Sequence, residues 1–583
     1  MNKNLIFTLF VGLLSISSLY AIPSFDAKLL DFHYRIYPDR FPVEASYQNT
    51  IAVPRNYTLG LQLAIKGYTS QTYSVTLENV KLNNVTPTTF NFSARQLVQI
   101  TVEGNTQGSI NVPGGSYPES WIPFFIRNAP FNLLEAVASA NAENNITVDA
   151  NTTGGVLIQI KIESDCPVGT YTGNVVVSIN STDKVQLPIS FKVHKAVVSR
   201  EIFLDCVHWI SVDPVDLRTN GGQVAWWSEE HWKLLERAGR YLYEDGNNMM
   251  YTPLVNTANP LIQAKYVNGV LQFDYNRFDR WINLFKTIGF KSFAGSHLRN
   301  MASQLTILDV ASNNKTSVES LGINIGCFQE TFLKDLNAHL IALGIHDAFV
   351  MHLYDEPTAT VFDEYKHYKQ LLTRNMPGIK CIDATITSVG QLYSDMLDYQ
   401  VYTIYGIILN KDGTVKTRLQ DGRPTWLYNA NSPFPPYPNR HLDQPLTENR
   451  LWPLLALKYN ASGYLFWAVN TYRGIPDEYV TSLGPGPNGK PLHPPGDCWF
   501  YYRTSNGLIP SLRMMSFREG MIDVSLLKQL AKINPNQIKT QLDKILPGNV
   551  TPGDEVIGYK TDFDTYNNNR KEVLELLDQI LPN

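Results

Sequence analysis

Apolar and polar positions follow two rhythms along this chain. From about residue 22 to 195 they alternate with the two-residue period of half-buried strands. Tyr57-Thr-Leu-Gly-Leu-Gln-Leu-Ala-Ile65, Tyr73-Ser-Val-Thr-Leu77, Val156-Leu-Ile-Gln-Ile-Lys-Ile162 and Gly173-Asn-Val-Val-Val-Ser-Ile179 are the clearest runs. Pro113-Gly114-Gly115 and Pro167-Val-Gly169 punctuate them as turns. Only 132–143 has a helical look. Short strands at this spacing predict a β-sandwich over 22–197, serving by default as a packing platform and alternatively as a carbohydrate-binding module.

After Ser199 the rhythm changes to strand and helix in alternation. Eight strand-like runs occur, at 202–210, 248–255, 292–298, 348–354, 381–386, 401–407, 424–430 and 463–470. Amphipathic segments lie between most of them, most clearly at 229–244, 278–288, 329–343, 361–374 and 447–459. This order predicts a (β/α)8 barrel over 198–583, closed by helices at 512–533 and 571–580. The fold class is therefore an N-terminal β-sandwich followed by a (β/α)8 barrel.

Composition narrows the function. The 583 residues carry a net charge of -4 and no long basic run, so nothing favours nucleic acid. Residues 1–21 have the make-up of an export signal: Lys3, an apolar stretch from Leu5 to Leu14, and Ala21 at the cleavage point. That stretch is short for a membrane span, so export to the periplasm or the exterior is expected, without a membrane anchor. The five cysteines, Cys166, Cys206, Cys327, Cys381 and Cys498, define no disulfide framework and no metal-ligand spacing. No cofactor or metal is expected. Tyr (31) and Trp (10) are abundant; most serve the core, and those in loops suit sugar faces.

The chemistry is sought at the C-terminal ends of the barrel strands. Asp355-Glu356-Pro357 ends the fourth, and adjacent carboxylates there push one pKa upward, as glycosidic cleavage needs. The competing reading is an ordinary helix start, which acids and Pro both favour. Other strand ends offer a neutral lining: His208 and Trp209, Asn256, His297 and Arg299, Tyr402 and Tyr405, Trp426, Tyr428 and Asn429, and Trp467 and Asn470. Aromatic rings and amides suit a neutral sugar, though each histidine is equally a hydrogen-bonded core residue.

A retaining glycosidase on this fold usually carries its nucleophile on strand seven. Here Pro424-Thr-Trp-Leu-Tyr-Asn-Ala-Asn431 holds no carboxylate. Substrate-assisted hydrolysis needs none there, because the 2-acetamido oxygen of the sugar attacks the anomeric carbon. In that scheme Asp355 orients the acetamido nitrogen, and Glu356 protonates the leaving oxygen and later activates water. A tyrosine hydroxyl holding the acetamido oxygen is expected, with Tyr402, Tyr405 and Tyr428 as unranked candidates.

Leu353-Tyr354-Asp355-Glu356-Pro357, Gly463-Tyr-Leu-Phe-Trp-Ala-Val-Asn470, Ser511-Leu-Arg-Met-Met-Ser-Phe-Arg-Glu-Gly-Met-Ile-Asp523, Ala52-Val-Pro-Arg-Asn56 and Pro167-Val-Gly-Thr-Tyr-Thr-Gly173 together resemble glycoside hydrolase family 123. The resemblance spans nearly the whole mature chain. It implies an exo-acting β-N-acetylgalactosaminidase, with Asp355 and Glu356 in the roles just given. The sequence departs from the family at Trp499-Phe-Tyr-Tyr-Arg-Thr-Ser-Asn-Gly507, where a Tyr-Pro-Gly-like turn is common. Arg513, Arg518 and Asp523 fall on a helix and read as ion-pair members. The expected partner is a glycan or glycoconjugate ending in an acetamido sugar. GalNAc and GlcNAc differ in one hydroxyl, and the residues themselves suit either. Two alternatives stand beside this reading: a glycosidase on other sugars, with Asp383 or Asp205 as the second carboxylate, and a secreted carbohydrate-binding protein without catalysis.

Overall fold

The computed structural model describes residues 23–582 apart from 43–46, 48–49, 108–116, 142, 256–258, 302–305, 387–388, 410–412, 487–490 and 549–557. The export signal, the Pro113-Gly114-Gly115 turn and Asn256 fall outside the described residues.

The alternating N-terminal half forms two sheets packed face to face. One has five strands and centres on the antiparallel pair Tyr57–Gly67 and Thr153–Ile162; the other has six, built around Gln71–Leu82, Gly169–Ser178 and Lys184–Val197. Leu59, Leu61, Leu63 and Ile65 from one sheet meet Val75, Tyr171, Val175 and Phe191 from the other in a single core. The helical look of 132–143 is overturned, since Phe131–Val137 is a strand paired antiparallel with Asn91–Val102. Leu133, Leu134, Ala136 and Val137 are all buried. This strand lies between its own sheet and the barrel, so both of its faces are covered and the two-residue alternation disappears.

The second half is a barrel of eight parallel strands: β1 (Asp205–His208), β2 (Met249–Thr252), β3 (Ser292–Gly295), β4 (Phe349–Met351), β5 (Lys380–Thr385), β6 (Tyr399–Thr403), β7 (Thr425–Asn429) and β8 (Gly463–Phe466). All eight overlap the runs read from the sequence, β5 beginning one residue earlier and β6 two. The order β1-β8-β7-β6-β5-β4-β3-β2 runs around the sheet, and the Asn248 N–H donates to the Cys206 carbonyl at 3.2 Å between β2 and β1. Helices α1 (Glu229–Glu244), α2 (Asn276–Ile288), α3 (Ile325–Ala342), α4 (Phe362–Asn375), α5 (Thr414–Gln420) and α6 (Thr447–Lys458) surround it, and α7 (Leu512–Ile533), α8 (Asn536–Ile545) and α9 (Phe563–Ile580) complete the chain.

Strand parity decides what fills the barrel. Val207, Met249, Ala294, Val350, Ile382, Ala384, Val401, Trp426, Tyr428 and Leu465 form one inner cluster, with Trp209, Tyr251 and Tyr399 against it. Trp426 lies flat over Gly463, where any Cβ would stand 2.2 Å from the indole. The two halves are welded by apolar clusters that cross between them. Leu30, Phe32, Leu134 and Leu157 meet Leu446, Leu512 and Met515, while Ile100, Phe131 and Leu133 meet Leu442, Tyr472 and Trp499. Buried ions add to the seam: Glu135 pairs with Arg35 at 2.6 Å and Arg513 at 3.0 Å. Asp523 pairs with Arg450 at 2.7 Å and Arg570 at 2.6 Å, and the Tyr57 hydroxyl donates to Glu519 at 2.9 Å. Arg513 and Asp523 are thus ion-pair members.

Candidate active site

β4 ends at Met351, and the chain continues through His352, Leu353 and Tyr354 to the Asp355-Glu356 pair at the barrel mouth. The pair is no helix start, because α4 begins only at Phe362 after a short 3-10 turn at Ala359–Val361. What fixes this turn is a neighbouring strand. Asp383 on β5 is fully buried and accepts from the Leu353 N–H at 3.1 Å, the Tyr354 N–H at 3.2 Å and the Tyr365 hydroxyl of α4 at 2.7 Å. His352 Nδ1 lies 3.2 Å from the same carboxylate. Burial pushes the Asp383 carboxyl well above the usual range, and these donors pull against that.

Glu356 has a φ of 45°, a left-handed backbone that a non-glycine residue adopts only where its surroundings enforce it. One such constraint is the Tyr428 hydroxyl at the end of β7, which donates to Glu356 Oε1. Both carboxylates stay open to solvent at the mouth, while protein surrounds Asp355 on its remaining sides. That enclosure, with the charges of Glu356 and Asp383, raises the Asp355 pKa to about 7. The pair therefore keeps one proton up to neutral pH.

Beneath Asp355 lies a nest of rings. Trp209 stands 5.2 Å from Tyr251, 5.1 Å from His297 and 5.2 Å from His352, and the two imidazoles are 4.7 Å apart. Burial drives His352 down to about 3 and His297 well below its ordinary value, so both are neutral. Trp209 Nε1, His297 Nε2 and His352 Nε2 are buried without a protein partner. Tyr251 stands 6.2 Å from His352, and burial, with the charge of Asp355, raises its hydroxyl.

The structure sorts the residues expected at the site. Asp355, Glu356, Tyr428 and His297 come together. Tyr405 and Trp467 stand half-buried beyond the ends of β6 and β8, Tyr405 accepting the Phe434 N–H at 3.0 Å and Trp467 stacked 5.0 Å from His493. His208 instead faces outward. Its Nδ1 lies 2.9 Å from Asn247 Oδ1 and its Nε2 accepts from Arg440 at 2.7 Å, with Phe517 of α7 against the ring. Tyr402 also faces outward into the helix-side core. Trp426 points inward but two residues below Tyr428, at the layer of Gly463. Asn429 bonds Asn439 at 2.6 Å and accepts from Tyr464, and Asn470 holds the Ser211 and Asp216 carbonyls at 3.0 and 3.1 Å, so both secure loops. Asp205 sits at the opposite end of β1, bonded to Asn248 at 3.1 Å. Tyr251 and His352 are the additions, and Asp383, weighed from the sequence only as an alternative second carboxylate, is the buried anchor of the turn before the pair. The first two were legible from parity, each standing two residues beyond an inward position, Met249 and Val350.

Two clusters have the spacing of a cation site, His297 with His352 and Asp383, and His493 with Asp497 and Cys498. In the first, the Asp383 oxygens already take four donors. In the second, burial holds the Cys498 thiol protonated, and His493 Nδ1 is shared between Asn431 at 2.6 Å and Asp497 at 3.0 Å. In each set one of the three groups is committed elsewhere, Asp383 to its donors and Cys498 to its proton. All five cysteines are free. Among the described residues, no helix is long and apolar enough to cross a membrane.

The model of the glycoside hydrolase 123 catalytic domain matches residues 219–530. A family 123 glycoside hydrolase from Clostridium perfringens, solved for the details of glycolipid glycan hydrolysis, superposes with a TM-score of 0.71. It is 14% identical, with 95% of this chain and 99% of that one covered, which establishes a shared fold. A GH5 xyloglucanase from Bacteroides ovatus, 8% identical over 81% of this chain and 98% of its own, reaches only 0.31 and carries no argument. No curated protein matches the chain.

Proposed function

The chain belongs to glycoside hydrolase family 123, and from that premise we propose that it releases terminal β-linked N-acetylgalactosamine by substrate-assisted, retaining catalysis outside the cytoplasm. It is a glycoside hydrolase acting on a glycan; the sugar, the mechanism and the export are the proposal. The observation that carries the mechanism is the identity of the inward residue ending β7. It is Tyr428, bonded to Glu356, where a double displacement would need a carboxylate.

In this reading the acetamido oxygen attacks the anomeric carbon while Asp355 accepts the acetamido N–H. Glu356 gives its proton to the departing oxygen and then takes one from the water that opens the oxazolinium ring. Before substrate binds, Asp355 is the member whose carboxyl is raised, so it holds a proton up to about 7. An acetamido N–H donated to Asp355 favours its anion, so substrate binding itself moves the proton to Glu356. In the ring nest the half-buried Trp209 and Tyr251 offer apolar faces for the sugar, backed by the buried imidazoles of His297 and His352. Residues 1–21 support export, and the clostridial relative makes a glycan chain end on a lipid one candidate substrate.

The test is hydrolysis of aryl β-GalNAc and aryl β-GlcNAc by the wild type, Asp355→Ala and Glu356→Gln, with a thiazoline mimic of the oxazoline as inhibitor. Preference for GalNAc, inhibition by the mimic, and loss of poor-leaving-group substrates in Glu356→Gln are expected. Robust turnover that the mimic leaves untouched overturns the assisted mechanism.

A further inference from the structure

We propose that the sugar on the leaving-group side of the scissile bond rests on an aromatic rim built by both domains, with Trp121 of the β-sandwich and Phe434 and Tyr437 of the barrel as its platform. This deepens the hydrolase reading above and rests on it.

The direction of the leaving group follows from which side each carboxylate faces. Asp355 lies three residues beyond His352, whose ring stands 6.2 Å from Tyr251, 5.2 Å from Trp209 and 4.7 Å from His297, so that side runs along β1 to β4. Glu356 is held by Tyr428 of β7. The acid must reach the glycosidic oxygen, so the terminal sugar lies over the ring nest and the aglycone leaves past Glu356, toward the loops after β6 and β7.

Those loops present aromatic side chains that are neither core nor free. Tyr405, just beyond β6, accepts the Phe434 N–H at 3.0 Å and meets Tyr437 edge-on at 4.8 Å. Phe434 stacks on Trp121 with centroids 5.5 Å apart and planes 15° from parallel. All four rings are half-buried. Trp121 belongs to the 3-10 segment Glu119–Phe124, in which no residue is buried and Ile122 is 41% exposed.

The sandwich segment that carries Trp121 is tied to the barrel on both flanks through one residue. Asp443 accepts from the Thr106 N–H at 2.6 Å and the Asn105 amide at 3.3 Å on the near flank, and its carbonyl accepts the Ile126 N–H at 2.8 Å on the far flank. The segment Glu119–Phe124 beside these anchors, with no residue buried, is a presented surface. Half-buried ring faces suit the apolar face of a neutral pyranose.

The experiment compares kcat/KM for a disaccharide and a methyl glycoside that share the terminal sugar, in the wild type, Trp121→Ala and Trp121→Phe. The disaccharide-to-methyl ratio is expected to fall about fivefold to tenfold in Trp121→Ala and to recover in Trp121→Phe, the size of one lost ring contact. Phe434→Leu, made from the barrel side, is expected to lower the same ratio should Trp121→Ala fold poorly. An unchanged ratio in both variants overturns the proposal. So does a loss seen with an octyl glycoside and not with the disaccharide, which would assign the rim to an alkyl chain. A wild type that cleaves neither substrate instead defeats the hydrolase reading beneath it.

Discussion

Replacing Asp383 by asparagine is expected to damage catalysis through a side chain that touches no substrate. The carboxylate has no exposed surface and serves the Leu353 and Tyr354 N–H groups, the Tyr365 hydroxyl and His352 Nδ1. Asparagine keeps one acceptor oxygen and turns an N–H toward the donors that faced the other. Two orphaned donors at about 1–3 kcal/mol each give a loss of roughly 2–4 kcal/mol, eased where the tyrosine hydroxyl rotates to accept. The backbone those donors hold leads directly into Asp355 and Glu356, and a shift of about 1 Å there lowers kcat on the order of 100-fold. The substitution also removes one of the charges that raise Asp355, so the high-pH limb of kcat/KM moves to lower pH. Urea titration gives the first quantity, and a pH series of kcat and kcat/KM gives the others. A variant that loses stability yet keeps its kcat and the position of its limb would refute the reasoning, leaving Asp383 as a packing residue.

Three further outcomes follow from the same geometry. Wild-type kcat/KM falls as pH rises through about 7, where the pair surrenders its shared proton, and an aryl-glycoside pH series checks it. The folded pKa of Asp355 lies above its unfolded value, so its favourable effect on stability is complete below about 4 and lost through about 7. Asp355→Asn therefore melts above the wild type at pH 8 and level with it at pH 4, by roughly 1 kcal/mol once solvent at the open mouth is allowed for. Tyr428→Phe removes the hydroxyl donor to Glu356, lowering kcat about 10- to 100-fold with a smaller change in KM, by steady-state kinetics. Asp523→Ala strands Arg450 and Arg570 without their shared carboxylate and costs about 3–5 kcal/mol in urea titration. These arginines hold the Asp523 carboxyl below the usual range, so its stabilisation is present above about 4 and is lost as pH falls through the folded value.

The barrel was legible because its strands and helices differ in period over enough residues to tell apart. The site was legible only where identity outweighed parity. Asp355 and Glu356 stand beyond the last ladder position of β4, where face no longer matters. His208 and Tyr402 sit inside four- and five-residue strands, where a shift of one residue exchanges barrel interior for helix-facing core. Trp426 shows the complementary case, on the correct face and one layer too deep. The strand at Phe131–Val137 was misread because burial on both faces erases alternation. Asp383 was singled out only as an alternative second carboxylate, because its anchoring role depends on which neighbouring strand end it meets.

The crossing clusters of the interface have a mechanical consequence. Leu30, Phe32 and Leu134 share one core with Leu446, Leu512 and Met515, and Glu135 is enclosed by an arginine from each half. Cutting the chain at 197/198 would bare both oily surfaces and strand a charge, so neither piece is expected to survive alone. The enzyme is then expected to melt as one cooperative body. Its cleft is then expected to form only as the whole chain folds.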